Sequence, residues 1–224
     1  MNTEVPVCVH CNAVPGCTAD HVPPRSFFAR PRPSNLLTVP ACAKCNHASS
    51  IDEVYFLAVL MLSRAGTTEV GTKLWNKGLR RTFENDLGLR RQVATSFRRR
   101  DFSTSAGVYL GRRMTLKFDR HRLEKVVAKI VRGLYFHERG FPLESGTEVL
   151  SFFLREPAHF EAMEESNHML KPGTRQWEGT FQYRCGFVPD QPQQSTWLLW
   201  FWRTHFFWVN TSQPIAVPPI VEVG

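Results

Sequence analysis

Two C-x2-C pairs, Cys8/Cys11 and Cys42/Cys45, frame the first part of this chain. Asp20-His21 and Asn35 lie between them, and Asn46 and His47 follow the last cysteine directly. The stretch from Cys8 to Ile51 holds five of the six cysteines and three of the eight histidines. A two-residue spacer lets a tight turn aim two sulfurs at one tetrahedral ion. Two such pairs separated by roughly 30 residues therefore predict a four-thiolate structural zinc site. A dithiol redox pair is the alternative, but the second pair and the lack of a βαβ context argue against it. Cys17 fits neither pair, Cys185 reads as core, and His10, inside the first pair, reads as a surface residue.

The segments DHVPP (from Asp20) and NLLTVPACAKCN (Asn35 to Asn46), with the flanking cysteine pairs, carry a resemblance. They are similar to the HNH endonucleases, the ββα-metal nucleases, in the zinc-bearing branch that includes phage junction-resolving enzymes. DHVPP with the Cys-Asn motif and a Ser-x-x-Glu helix start also looks like a group of bacterial proteins known mainly as predicted HNH endonucleases. The resemblance covers about residues 8–50. It implies His21 as the general base that takes a proton from the attacking water. It implies Asp20 and Asn46 as ligands of one catalytic divalent cation. Asn35 would hold the His21 strand in place through backbone hydrogen bonds. The chemistry is consistent: an imidazole neutral near pH 7 suits a base, and hard oxygen donors suit Mg2+ or Mn2+ better than a thiolate site would. The family's last motif residue is often His; here Asn46 is the expected ligand and His47 the alternative, or else a phosphate contact or helix-surface residue. Arg25, Arg30 and Arg32 lie where a scissile phosphate is expected, Arg25 first among them.

The elements that must position these groups are less sharply marked. Ser50-x-x-Glu53 has capping-box spacing ahead of Val54 to Leu62, which is apolar on all sides and predicts a buried helix. Residues 72–100 predict helix with a break near Asn85 to Gly88, ending at Arg98-Arg99-Arg100. A polar stretch, Asp101 to Ala106, and a strand or extended loop from Tyr109 to Phe118 follow. Arg120 to Phe136 is the clearest helix, with Leu123, Val126, Val127, Ile130, Val131 and Leu134 on one stripe. Lys125, Lys129 and Arg132 fall off that stripe, so solvent or phosphate is expected for them. Glu148 to Leu154, Thr180 to Val188 and Thr196 to Val209 are aromatic and β-branched and predict strands, with Gly186 to Gln194 as a hairpin loop. Four tryptophans, Trp197, Trp200, Trp202 and Trp208, read as sheet core rather than as base-stacking platforms. His159 to Leu170 is a candidate helix, with Glu164 and His168 on one face, and the Pro-rich end from Pro214 an extended tail.

Charge separates the chain into thirds. Residues 71–140 hold eighteen Lys/Arg against six Asp/Glu, residues 1–70 hold five of each, and residues 141–224 are net acidic. The net +8 thus comes entirely from the middle, and such a patch suits a polyanion. Arg98, Arg99 and Arg100 are the expected substrate grip. No apolar run reaches the roughly 20 residues of a membrane span, so the expectation is a cytoplasmic protein with reduced thiols and no membrane partner. Taken together, the reading is α+β: a zinc-bound ββα (treble-clef-like) module over residues 1–51, a basic helical region over 52–140, and an antiparallel aromatic-rich sheet over 141–224. The expected activity is metal-dependent hydrolysis of nucleic acid, with DNA favoured over RNA. The expected cofactors are structural Zn2+ and catalytic Mg2+ or Mn2+. Cutting both strands of a duplex would favour a homodimer. Two other classes fit the same sequence: a non-cleaving zinc-dependent nucleic-acid-binding or regulatory protein, and an interaction protein of phage or mobile-element type.

Overall fold

The computed structural model describes residues 6–154, 164 and 168–213. Its architecture is mixed helix and sheet, with a four-cysteine cluster in the N-terminal part of the chain and an aromatic-rich antiparallel sheet in the C-terminal part. Strand β1 (Thr18–His21) pairs antiparallel with β2 (Thr38–Ala41), in the register Asp20 opposite Val39 and His21 opposite Thr38. Helix α1 (Ala43–Ala48) follows β2 at once, which completes a ββα unit.

Helix α2 (Ser50–Met61) buries an unbroken run from Tyr55 to Met61. The Ser50/Glu53 capping box does not form. Ser49 occupies the cap position, and Glu53 turns inward to accept from Ser49 Oγ at 3.0 Å. Three short helices follow: α3 (Glu69–Leu74), α4 (Arg80–Asn85) after a π-helical turn at Trp75–Leu79, and α5 (Leu87–Ala94). The expected break is present, made by Asp86 accepting from the Leu89 amide at 2.9 Å. Helix does not continue to the arginine run. Phe97–Ser103 is strand β3, hairpin-paired with β4 (Tyr109–Leu116). Phe97 and Leu116 pack its base against the core, while Phe102, Val108, Tyr109, Leu110 and Met114 lie exposed farther out.

Helix α6 (Arg120–Arg139) starts on Asp119 and ends at Gly140, whose φ of 80° suits glycine. All six stripe residues are buried. The stripe packs against α2, β2 and strand β5 (Glu148–Leu154). The last sheet is antiparallel throughout, in the order β5-β9-β8-β7-β6, with β6 (Lys171–Pro172), β7 (Phe181–Val188), β8 (Gln191–Phe201) and β9 (His205–Ser212). The expected strand over Thr196 to Val209 is in fact two, because Trp202 and Arg203 both take positive φ (49° and 58°) and turn the chain back. The β7–β8 turn is correspondingly tighter than the nine-residue loop expected, since β8 already begins at Gln191. Trp197 and Trp202 are buried as expected, and Trp200 and Trp208 are half-buried.

One apolar core joins all three segments. Phe27, between β1 and β2, stacks on Phe56 of α2 at 5.3 Å and meets Phe201 and Trp202 of the sheet at 6.1 Å and 5.5 Å. Among the described residues no helix is long and apolar enough to cross a membrane. Most of the expected helix over His159 to Leu170, and the tail from Pro214, lie outside the described residues.

Candidate functional site

The four expected cysteines converge. The sulfurs of Cys8, Cys11, Cys42 and Cys45 lie within 4.8 Å of one another. Each pair is shaped by its backbone. Asn12, directly after Cys11, takes φ 54°, a left-handed conformation that Asn tolerates, and its amide donates to Cys8 O at 2.9 Å. Cys42 caps α1, its sulfur accepting from the Cys45 amide at 3.4 Å. Burial opposes the Cys8 thiolate, but backbone hydrogen bonds from Cys42, Cys11 and His10 outweigh it and bring that thiol down to about 6. Burial, hydrogen bonds to Cys42 and Cys11 and the negative Cys8 beside it push Cys45 the other way. A negative charge on Cys8 thus opposes one on Cys45 beside it. The donor set and its convergence fit tetrahedral zinc. Cys17 is exposed, and Cys185 is buried in the sheet, where burial pushes its thiol up to about 12.

The clamp holds β1 and α1 against each other. Asn46 Nδ2 donates to Thr18 Oγ1 at 3.1 Å, and Thr18 Oγ1 donates to Ala41 O at 2.7 Å. Of the two adjacent candidates, Asn46 therefore faces the strand pair. His47 lies exposed, with its ring nitrogen 2.7 Å from Ala43 O in the same helix.

Along β1, Asp20 and His21 point to opposite faces. Asp20 is buried, and its carboxylate is fully engaged. His10 Nε2 lies 2.8 Å from one oxygen, and Lys129 Nζ lies 2.9 Å and 3.1 Å from the pair. Lys129 also donates to Ser49 Oγ at 2.7 Å and Glu53 Oε1 at 2.5 Å. Burial would raise the Asp20 carboxyl, but the hydrogen bonds and charge of His10 and Lys129 hold it below the usual carboxylate range. Two expectations are corrected here. His10 is not a surface residue, and Lys129, off the apolar stripe, turns into the protein instead of to solvent. Both Asp20 oxygens, which would have to hold a divalent cation, are also spoken for. A hexacoordinate ion between Asp20 and Asn46 does not fit this donor set as it stands.

His21 opens on the other side, into a cleft of about 660 Å³ lined by Arg25, Arg30, Arg32, Ser34 and Leu36. Phe27 and Phe28, sunk in the core, fix the connection that carries these arginines, and Arg32 Nε donates to Arg25 O at 3.0 Å. Burial first, then the positive Arg25, push the His21 imidazole below its ordinary value; Asp20 pulls the other way, and Arg32 adds a smaller downward push. His21 is thus neutral at pH 7. Burial and the like charges of Arg25 and Arg30 also lower Arg32, which marks the cluster as one that an anion would relieve. Asn35 does not bond β1. Its Oδ1 accepts from Trp177 Nε1 at 3.3 Å and ties the connection to the C-terminal region; β1 is continued instead by the Val22 amide on Leu37 O at 3.0 Å.

Arg98, Arg99 and Arg100 are remote from this cleft in the chain and stand on the β3–β4 hairpin. Arg98 and Arg100 share one face with Arg113, and Arg100 lies directly opposite Arg113. Arg99 shares the other face with Arg112, which pairs with Asp101 at 2.8 Å. Sequence reasoning missed His10, Lys129, Ser49 and Glu53. Only Glu53 had left a signal, as half of a capping box that turned out to serve another partner. No protein-family model matches the chain, and neither a curated protein nor a solved structure matches it.

Proposed function

We propose that the protein hydrolyses phosphodiester bonds of nucleic acid, DNA foremost, at the His21 cleft. The observation that carries this reading is a neutral imidazole at the mouth of an arginine-lined cleft, on a ββα frame whose cysteines converge. His21 takes a proton from the attacking water. Arg25, Arg30 and Arg32 hold the phosphate and offset the charge that develops on its oxygens. Zinc on Cys8, Cys11, Cys42 and Cys45 keeps the frame folded and takes no part in the reaction. The resemblance to HNH nucleases supports the same assignment and adds a divalent ion on Asp20 and Asn46, which would have to displace Lys129. A second reading, a zinc-dependent protein that binds nucleic acid without cutting it, is favoured by that one observation: Asp20 is already neutralised.

The test is to incubate wild type and His21→Ala with supercoiled DNA and with RNA, in magnesium, manganese or chelator. Nicking by wild type that drops at least about a hundredfold in His21→Ala, with zinc content unchanged, supports hydrolysis. Equal cleavage by both removes His21 from the mechanism. Binding with no cleavage under any condition selects the second reading.

A further inference from the structure

The oxygens around Asp20 already hold a cation, and it belongs to the chain. Lys129 Nζ meets two oxygens of Asp20, Ser49 Oγ and Glu53 Oε1 at 2.5–3.1 Å. These oxygens come from β1, from the cap of α2 and from its first turn. The ammonium comes from the middle of α6, 109 residues from Asp20 in sequence. An ammonium has three donors, and here all three are used. The Lys129 side chain is 8% exposed, with buried Val126 and Ile130 as chain neighbours on α6, so it has no ready path to solvent. Its depth is set by Gly133 one turn on: a Cβ there would lie 2.5 Å from Val22 Cγ2, so only glycine lets α6 close on the end of β1. A magnesium-type ion would need the same oxygens at about 2.0–2.1 Å in an octahedron, beside a fixed positive charge.

We infer that Lys129 is the resident cation of the site: its ammonium stands where a divalent ion would sit beside Asp20, and Asp20 is a positioning residue for the His21 strand, not a metal ligand. The inference rests on the proposed activity only in taking His21 as the reacting group, and its test needs no cleavage. Zinc-loaded full-length protein is titrated with Mn2+, with the free ion followed by electron paramagnetic resonance. Wild type is expected to leave the free Mn2+ signal unchanged into the millimolar range. Lys129→Met frees two carboxylates and is expected to bind Mn2+ at least about tenfold more tightly than wild type. Mn2+ should also raise the melting temperature of this variant, and adding Asp20→Asn should abolish both effects. Stoichiometric Mn2+ binding by wild type, lost in Asp20→Asn, would overturn the inference. So would a folded, zinc-loaded Lys129→Met that binds no better than wild type. If that variant does not fold, wild type and Asp20→Asn decide alone. A protein that neither nicks nor binds nucleic acid leaves every one of these outcomes as it is, so the two readings fail separately.

Discussion

His21 and its neighbours set a sharp expectation for pH. The imidazole is depressed by burial and by Arg25 and Arg32, so the base limb of any cleavage profile should lie below the ordinary value of 6.5 and level off above it. Arg25→Ala removes one positive neighbour, so His21 should titrate higher, nearer 6.5, while the maximal rate falls through loss of the phosphate contact. The imidazole proton shift in NMR spectra reads the first effect without any substrate. His21 and Asp20 both bind protons less readily folded than unfolded, so the stability they contribute is present above their unfolded values and is lost as pH falls below them, first His21 and then Asp20. The four clustered cysteines could be read from sequence because each pair announces itself by its own local spacing. Lys129 could not. A lysine off an apolar stripe is by default solvated, and the carboxylates that draw this one inward arrive from far away in the chain.

Among the elements, α6 was readable over most of its length, because its stripe repeats over several turns; the structure carries it three residues past the expected end at Phe136, to Arg139. What its sequence did not announce was the close approach at Gly133. Gly133→Ala should overpack Val22, cost about 1–3 kcal/mol, and lower the melting temperature while shifting His21 resonances before those of the sheet. The four-cysteine cluster makes a comparable demand. Cys42 is both a member of the cluster and the cap of α1, so Cys42→Ser should lower the zinc content, measured by elemental analysis, and loosen α1 even though a serine can still cap. Arg98 to Arg100 of β3 were read as the end of a helix, since an arginine run is helix-compatible and nothing local forbids it; the strand state of β3 comes from cross-strand pairing with residues 109–116, which were expected as strand or extended loop. The turn at Trp202-Arg203 was missed for a related reason. It takes left-handed backbone without glycine or asparagine to signal it, and is held by burial of Trp202 and by its indole bonding Phe27 O at 3.3 Å.

At the scale of the molecule, five of the eighteen basic residues of the middle third stand on the largely exposed β3–β4 hairpin. Like charges directly opposed across a ladder destabilise it, so Arg100 facing Arg113 is an arrangement that a phosphate would relieve. A two-stranded ribbon is also one of the shapes that a DNA major groove admits. Replacing Arg100 and Arg113 together with alanine should reduce the slope of log affinity against log salt by about two for duplex DNA. Arg112→Ala, whose charge Asp101 already offsets, should change it far less. Fluorescence anisotropy across a salt series measures both.

The packing of Phe27 bears on how this chain could be handled or could have evolved. Residues 1–51 resemble a portable cassette, the kind of unit that can be cut out and fused elsewhere. Here the connection carrying the three cleft arginines is nailed to Phe56, Phe201 and Trp202, and Asn35 to Trp177. An excised module would keep its metal knuckles but expose its aromatic anchors and lose the shape of its cleft. The cleft is therefore shaped by the sheet as much as by residues 1–51, and grafting it onto another scaffold would mean carrying the sheet along with it.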